Sequence, residues 1–193
     1  MKMGKIKKGF TVVEVALVLA IAGLIFVMVF VALPALQRSQ RDNDRRDAMM
    51  AFVSRVKQYQ TNNRGSLPKM SGDSVTVTWD AIKDDDTVET TSANWAGFYK
   101  GYLGEKFHDP DGDNYKLTVI KCGVGADAIC NEEALNNLLY NNTFPNDYTF
   151  IVVTQSKCGE RTDGTITAVG SSNPRNLSVL YQLEGAGIYC SNT

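Results

Sequence analysis

The sequence Gly9-Phe10-Thr11-Val12-Val13-Glu14, together with the apolar run Val15–Leu33 that follows it, decides the fold of this 193-residue chain. The run contains 19 residues and no charge. As a helix rising ~1.5 Å per residue it reaches about 28 Å, which is close to the ~30 Å thickness of a bilayer's hydrocarbon core. The sequence therefore predicts a transmembrane helix.

Glu14 is the unusual residue of this segment, because it places a carboxylate at the head of a membrane helix. An ionisable group in such a position indicates a functional site and requires a partner. The chain supplies no obvious internal partner. Four lysines precede the segment and none lies within it: Lys2, Lys5, Lys7 and Lys8.

A short basic leader ending at Gly9, then Phe10-Thr11, Glu14, an apolar run and a proline resembles the amino terminus of a type IV prepilin. The resemblance covers about the first 40 residues. It implies that a prepilin peptidase cuts between Gly9 and Phe10 and methylates the new amino terminus. It also implies that the membrane subunits then assemble through their amino-terminal helices into a homo-oligomeric filament, with the help of assembly machinery in the cytoplasmic membrane.

The resemblance also implies a role for Glu14, which would pair with the freed amine of Phe10 on a neighbouring subunit. Each charge alone would be uncompensated among apolar side chains, whereas the two together neutralise each other. One departure from the family pattern is Pro34, which lies three residues later than usual, with Val31 in the common place. It affects where the helix would bend, since proline removes a helical hydrogen bond.

Two other interpretations of the amino terminus stay open. A secretory signal peptide also combines a basic start with an apolar core, but that core is usually 7–15 residues long. An uncleaved single-span anchor, carrying an extracellular binding domain, fits the hydrophobicity and leaves Glu14 and the Gly9-Phe10 junction without a purpose. Within the resemblance, a pseudopilin of a type II secretion system is the alternative to a pilus subunit used in adhesion, motility or DNA uptake.

Charge is distributed unevenly along the chain. Residues 37–64 carry seven Lys/Arg against three Asp, and residues 65–193 carry nine Lys/Arg against 17 Asp/Glu. An acidic head is a poor surface for nucleic acid, which is bound through clustered cations. Cations flank the span on both sides, so the positive-inside rule alone does not orient it. The cysteines and the resemblance together predict that the head lies outside the cytoplasm.

The segment after the span predicts a continuation of the same helix. Apolar residues recur there at spacings of three and four, which is typical of an amphipathic helix. We expect one helix from about Thr11 to about Asn62, with the charged stretch Arg38–Asp47 as a solvated face. The predicted organisation is a leader at 1–9, a transmembrane and assembly helix at 10–36, an amphipathic helix at 37–64 and a β-rich head at 65–193.

The sequence of the head predicts short strands and little helix. Alternating or β-branched runs indicate strands at 74–79, 115–121, 148–154, 165–169, 177–183 and 187–190, with helical turns at 94–103 and 132–140. A long helix followed mainly by strands indicates an α+β fold, in which the helix packs on an antiparallel sheet. The resemblance to pilins implies the same architecture, independently of the pattern of strands.

The acidic loop Asp109-Pro110-Asp111-Gly112-Asp113-Asn114 supports two interpretations. Carboxylates at Asp109, Asp111 and Asp113 could converge on Ca²⁺, which takes six to eight oxygen ligands. The glycine comes too early for an EF-hand, and its distal glutamate is missing. A tight turn without metal is the alternative, because Pro, Asp, Gly and Asn all favour turns.

The cysteines all lie in the head, at Cys122, Cys130, Cys158 and Cys190. An even number in an exported domain suggests two disulfides, for which three connectivities exist. Pairing nearest neighbours would give Cys122–Cys130 and Cys158–Cys190, and the second bridge resembles the carboxy-terminal disulfide loop of many pilins. Free buried thiols are the alternative.

Enzymatic motifs are missing from the sequence. It has one histidine, His108, and neither a nucleophile elbow nor a phosphate-binding glycine loop. We therefore expect a structural protein with no cofactor other than a possible Ca²⁺.

Overall fold

The computed structural model describes residues 9–72, 74–84, 93–122, 148–162, 165–184 and 187–193. The chain divides into two compact units, Met1–Gln40 and Arg41–Thr193. The predicted helix at 132–140 and the residue Cys130 lie outside the described residues.

Helix α1, Val12–Asn62, is the predicted long helix, and its boundaries agree with the sequence pattern. It continues through Pro34. Its first half is apolar and exposed, and it is long and apolar enough to cross a membrane. Its second half carries the predicted stripe, which is buried at Met49, Phe52, Val53, Val56 and Tyr59.

The described residues of the head form two sheets. The strands are β1 (Ser74–Val77), β2 (Lys116–Lys121), β3 (Thr149–Thr154), β4 (Ser156–Thr162), β5 (Thr165–Gly170), β6 (Leu177–Leu183) and β7 (Gly187–Asn192). One sheet has five strands in the order β1-β2-β3-β6-β7, and the other pairs β4 with β5. Two short helices, α2 (Trp79–Asp84) and α3 (Trp95–Phe98), and a π-helical turn, Tyr99–Leu103, lie between β1 and β2.

The α+β class is confirmed, but the prediction of a purely antiparallel sheet is wrong. Strands β2 and β3 run parallel, with Leu117 opposite Phe150, while the other described pairs are antiparallel. A parallel pair needs a crossover connection of a dozen or more residues. Residues 122–148 provide a connection of that length. The sequence analysis also missed β4 and ended β1 too late, since Trp79 begins α2.

Strand β3 is the middle strand of the large sheet, and all six of its residues are buried. Successive side chains of a strand point to opposite faces. Phe150 and Val152 accordingly join the core that includes the stripe of α1, whereas Ile151 and Val153 join a second cluster with Ala168 of β5. The sheet is therefore covered on both faces, which explains why this strand is apolar throughout.

Aromatic rings fill the core between α1 and the sheet. Phe52 lies with its ring centroid 5.9 Å from those of Phe98 and Phe107, and 6.0 Å from that of Phe150. The aromatic segment 94–103 predicts burial of Trp95, Phe98 and Tyr102; Trp95 and Phe98 are buried, whereas Tyr102 is half-buried. Offset and edge-to-face ring pairs contribute beyond their buried area. These contacts fix the second half of α1 on the head.

Candidate functional site

The junction between Gly9 and Phe10 lies just before α1, in backbone that is neither helix nor strand. Phe10 is 90% exposed. A Cβ built on Gly9 would meet no atom within 4 Å. Both residues are therefore exposed to solvent, as a cleavage site for a peptidase has to be.

Glu14 has an internal partner that the sequence analysis missed. Its Oε2 accepts hydrogen bonds from the backbone N–H of Thr11 at 2.8 Å and from the Thr11 hydroxyl at 2.9 Å. The Thr11 Oγ1 in turn accepts from the N–H of Glu14 at 3.3 Å. This is a capping box, and the pattern Thr-x-x-Glu before an apolar run was the signal for it. It satisfies orphan donors of the helix but leaves the charge of Glu14 without a counter-charge among the described residues.

The apolar face that follows Glu14 has no covering among the described residues. Side chains such as Leu19, Phe26 and Phe30 are 64–73% exposed. A contiguous exposed apolar surface of this kind marks contact with a membrane or with another protein. The first half of α1 is long and apolar enough to span a membrane and offers a surface for such contact.

A second group of charges lies in the head unit, where Arg45 joins α1 to the acidic loop. Its Nε donates to Asp109 Oδ2 at 2.8 Å and its Nη2 donates to Asp109 Oδ1 at 2.9 Å. Its Nη1 donates to Glu184 Oε1 at 2.6 Å, and Nη2 also lies 3.0 Å from Asp111 Oδ2. Arg45 is 4% exposed and Asp109 is fully buried.

The contacts of this cluster shift its titration. Hydrogen bonds to Asp109 raise the pKa of Arg45 above its ordinary value. Burial alone would raise the pKa of Asp109, but the hydrogen bonds from Arg45 and from the Asp111 N–H outweigh it and lower that pKa. A hydrogen bond from Arg41, followed by one from Arg45, lowers the pKa of Glu184 to about 2. All of these groups are charged at neutral pH.

The prediction that Arg38–Asp47 forms a solvated face is wrong for two of its residues. Asp42 is 6% exposed, and its Oδ1 accepts from the Glu184 N–H at 2.9 Å. With Arg45 it continues the apolar stripe, since positions 42, 45, 49 and 52 keep the spacing of three and four. The periodicity of α1 indicated that positions 42 and 45 are buried, but their charged side chains suggested that they are exposed.

The acidic loop forms a tight turn. Gly112 N–H donates to the Asp109 carbonyl at 2.9 Å, and Asp109 N–H donates to the Asp113 carbonyl at 2.7 Å. Gly112 has φ +104°, which favours glycine. The described residues contain no group of three or more side chains that could hold a metal ion. Binding of Ca²⁺ stays a prediction, and the ion would have to compete with Arg45 for Asp109.

The predicted disulfide Cys158–Cys190 is present and links β4 to β7. Cys122 is also disulfide-bonded. Its predicted partner Cys130 lies outside the described residues. His108 is exposed, with its Nδ1 3.1 Å from the Asp109 carbonyl oxygen.

Comparisons with known proteins leave the family open. No protein-family model matches the chain, and neither a curated protein nor a solved structure is significantly similar to it.

Proposed function

We propose that this chain is a subunit of a bacterial filament of the type IV pilus class. It would wait in the cytoplasmic membrane with its head outside, be cut between Gly9 and Phe10 by a separate peptidase, and assemble through the first half of α1. The amino-terminal helices would form the core of the fibre and the heads its surface.

The observation that carries this proposal is the exposed apolar helix with the charge of Glu14 at its start. Covering the helix with lipid satisfies its apolar side chains but gives the carboxylate no counter-charge from residues 9–62 of the helix and its start. Covering it with sister helices satisfies both, because each sister brings the amine of a freshly cut Phe10. Assembly therefore accounts for more of this segment than anchoring does.

The decisive experiment compares the full chain with a Gly9→Val variant, both expressed with a prepilin peptidase. We expect mass spectrometry of the wild-type surface form to give a chain that starts at methylated Phe10, and the variant to stay uncut in the membrane fraction. The variant is a clean test because a Cβ at Gly9 meets open space. A wild-type chain that retains its leader would instead support the uncleaved anchor.

A pseudopilin of a type II secretion system shares all of this reasoning. The two functions differ in their products, since a pilus is a long surface fibre and a pseudopilus drives export of other proteins. Deleting the gene from the native strain separates the two functions. Electron microscopy would show a loss of surface fibres for a pilus subunit, and an assay of secreted proteins would show a loss of export for a pseudopilin.

A further inference from the structure

We propose that a cleft at the carboxyl end of α1 binds a small molecule that carries a phosphate or sulfate group. The cleft has a volume of about 440 Å³ and lies entirely within the head unit. Its lining is Lys57, Gln60, Thr61, Arg64, Gly65 and Arg175. The proposal does not depend on the filament.

The cleft is lined by positive charge. Three of its lining residues, Lys57, Arg64 and Arg175, are cations, and none is acidic. Lys57 and Arg64 come from the basic stretch 37–64, whereas Arg175 comes from residues 65–193, which carry nine Lys/Arg against 17 Asp/Glu. Within the described part of the chain, these three cations make no ion pair, whereas Arg41 and Arg45 are each bound by carboxylates.

The cations come from separate parts of the chain and are brought together by the turn that ends α1. Gln60 Nε2 donates to the Arg175 carbonyl at 2.7 Å, which holds the turn before β6 against the helix. Gly65 has φ +82°, and a Cβ there would lie 2.9 Å from the Nε and Cζ of Arg175. A larger residue would push the guanidinium away, so the turn leaves room for Arg175.

Solvent exposure explains how three like charges coexist without a carboxylate, since Lys57, Arg64 and Arg175 are all exposed. Arg64 also lies just past the carboxyl end of α1, where the last carbonyls carry a partial negative charge that stabilises a nearby cation. Among the described residues, the guanidinium donors of Arg64 and Arg175 are in no ion pair, so they stay available to a ligand.

The chemistry of the lining selects the class of ligand. An arginine guanidinium presents a planar fork of N–H donors that matches phosphate geometry, and lysine adds a point charge. A phosphate or sulfate ester carries three terminal oxygens to accept from three cations, whereas a carboxylate carries two. The volume lies within the ~300–1,000 Å³ of small-molecule pockets, so an organic group on the anion fits as well.

The test is calorimetric titration of the full chain in a nonionic detergent at low salt. The probes are glucose 6-phosphate, glucose 6-sulfate, inorganic phosphate and, as the neutral control, glucose. We expect heat from the anions and none from glucose, with affinity falling as salt is added. Equal affinity for inorganic phosphate and the esters would identify the bare anion as the group that is bound, and tighter binding of an ester would assign a role to the sugar.

Variants localise the binding. We expect Arg175→Gln to weaken binding by about tenfold or more, and Arg175→Lys to weaken it less, because lysine keeps the charge but loses the fork. Lys106→Gln is the matched control, since Lys106 is an exposed cation of the head outside the cleft. Should Arg175→Gln fail to fold, as judged by thermal melting, Lys57→Gln on the exposed face of α1 replaces it. Absence of heat with every anion, or equal weakening by Lys106→Gln, would overturn the proposal.

Discussion

Glu14 and Asp109 are both carboxylates that need a partner, one at the start of an apolar helix and the other buried in the head, but the chain provides for them in opposite ways. Asp109 is fully buried and accepts hydrogen bonds from Nε and Nη2 of Arg45, from the Asp111 N–H at 3.1 Å and from the Tyr181 hydroxyl at 3.3 Å. Glu14 is exposed and, within the part of the chain that the structure describes, accepts hydrogen bonds only from the neutral donors of Thr11. The head thus completes its charge pairs within one molecule.

The difference teaches where to look for the partner of Glu14. A chain able to place four donors around Asp109 has placed no cation beside Glu14 among the described residues. If Glu14 served only the fold, a lysine or arginine one helical turn away would be the simple solution. An unpaired charge on Glu14 is expected if its counter-charge comes from another molecule. The predictions below test this contrast, from the largest effect to the smallest.

The largest effect is expected from Glu14→Gln, which removes the charge but keeps the shape. We expect the subunit to be present in the membrane at a normal level, and fibres to be absent from the sheared surface fraction, by immunoblot and electron microscopy. The reason is that the freed amine of Phe10 would lose its counter-charge among apolar helices. Asp44→Asn is the matched control, because Asp44 is an exposed carboxylate of the same helix. A normal fibre yield from Glu14→Gln would refute the assembly role.

The next effect is expected in the head, from Arg45→Met. It leaves Asp109 buried without its counter-charge, and breaking a buried pair in this way costs about 3–5 kcal/mol of unfolding free energy. Urea denaturation of the full chain in detergent, followed by circular dichroism, measures the loss. Arg55→Met provides the control, because Arg55 is exposed on the same helix, donates to Gln58 and forms no ion pair with another described residue.

A double variant sharpens that result. Arg45→Met combined with Asp109→Leu removes both charges of this pair, so Asp109 no longer leaves an uncompensated carboxylate in the core. We expect the double variant to be more stable than Arg45→Met alone. If the double variant lost as much unfolding free energy as the single variants Arg45→Met and Asp109→Leu lose when added together, the ion pair would not be the reason for the destabilisation.

A smaller effect is expected from acid, through Glu184. Its pKa falls from an ordinary 4.5 to about 2 in the folded head, so the folded state favours the charged form. A lowered pKa contributes stability above pH ~4.5 that is lost as the pH falls towards 2. Asp109, whose pKa is also lowered, adds to the same trend. We expect the melting temperature to drop across this window, and Glu184→Gln to make the drop shallower.

Much of the architecture could be predicted from the sequence, because periodicity reports which face of an element is buried. The boundaries of α1, the exact extent of β6 at Leu177–Leu183 and the aromatic core follow from such patterns. The parallel pairing of β2 with β3 does not, because alternation within a strand is the same whichever way its neighbour runs. Nor does β4, whose sequence Ser-Lys-Cys-Gly-Glu-Arg-Thr is polar.

One part of the candidate site depends on local sequence and the other depends on folding. Gly9, Phe10 and Glu14 lie close together in the chain, so a hypothesis about them can be stated from the sequence alone. Arg45 and Glu184 are 139 residues apart, and only the packing of α1 on the head brings them to 2.6 Å. A charged residue on an otherwise apolar stripe is the one available sign that such a distant partner exists.

The smallest effect is expected from Thr11→Val, which keeps the shape of the side chain and removes its hydroxyl. The first turn of α1 should open roughly fivefold more often, as for the loss of a typical N-cap, measured by hydrogen exchange of the Glu14 amide in micelles. Fibres should still form, since Glu14 keeps its charge and loses only a neutral donor. Loss of fibres as complete as in Glu14→Gln would make Thr11 the essential partner of Glu14, and the contrast with Asp109 would fail.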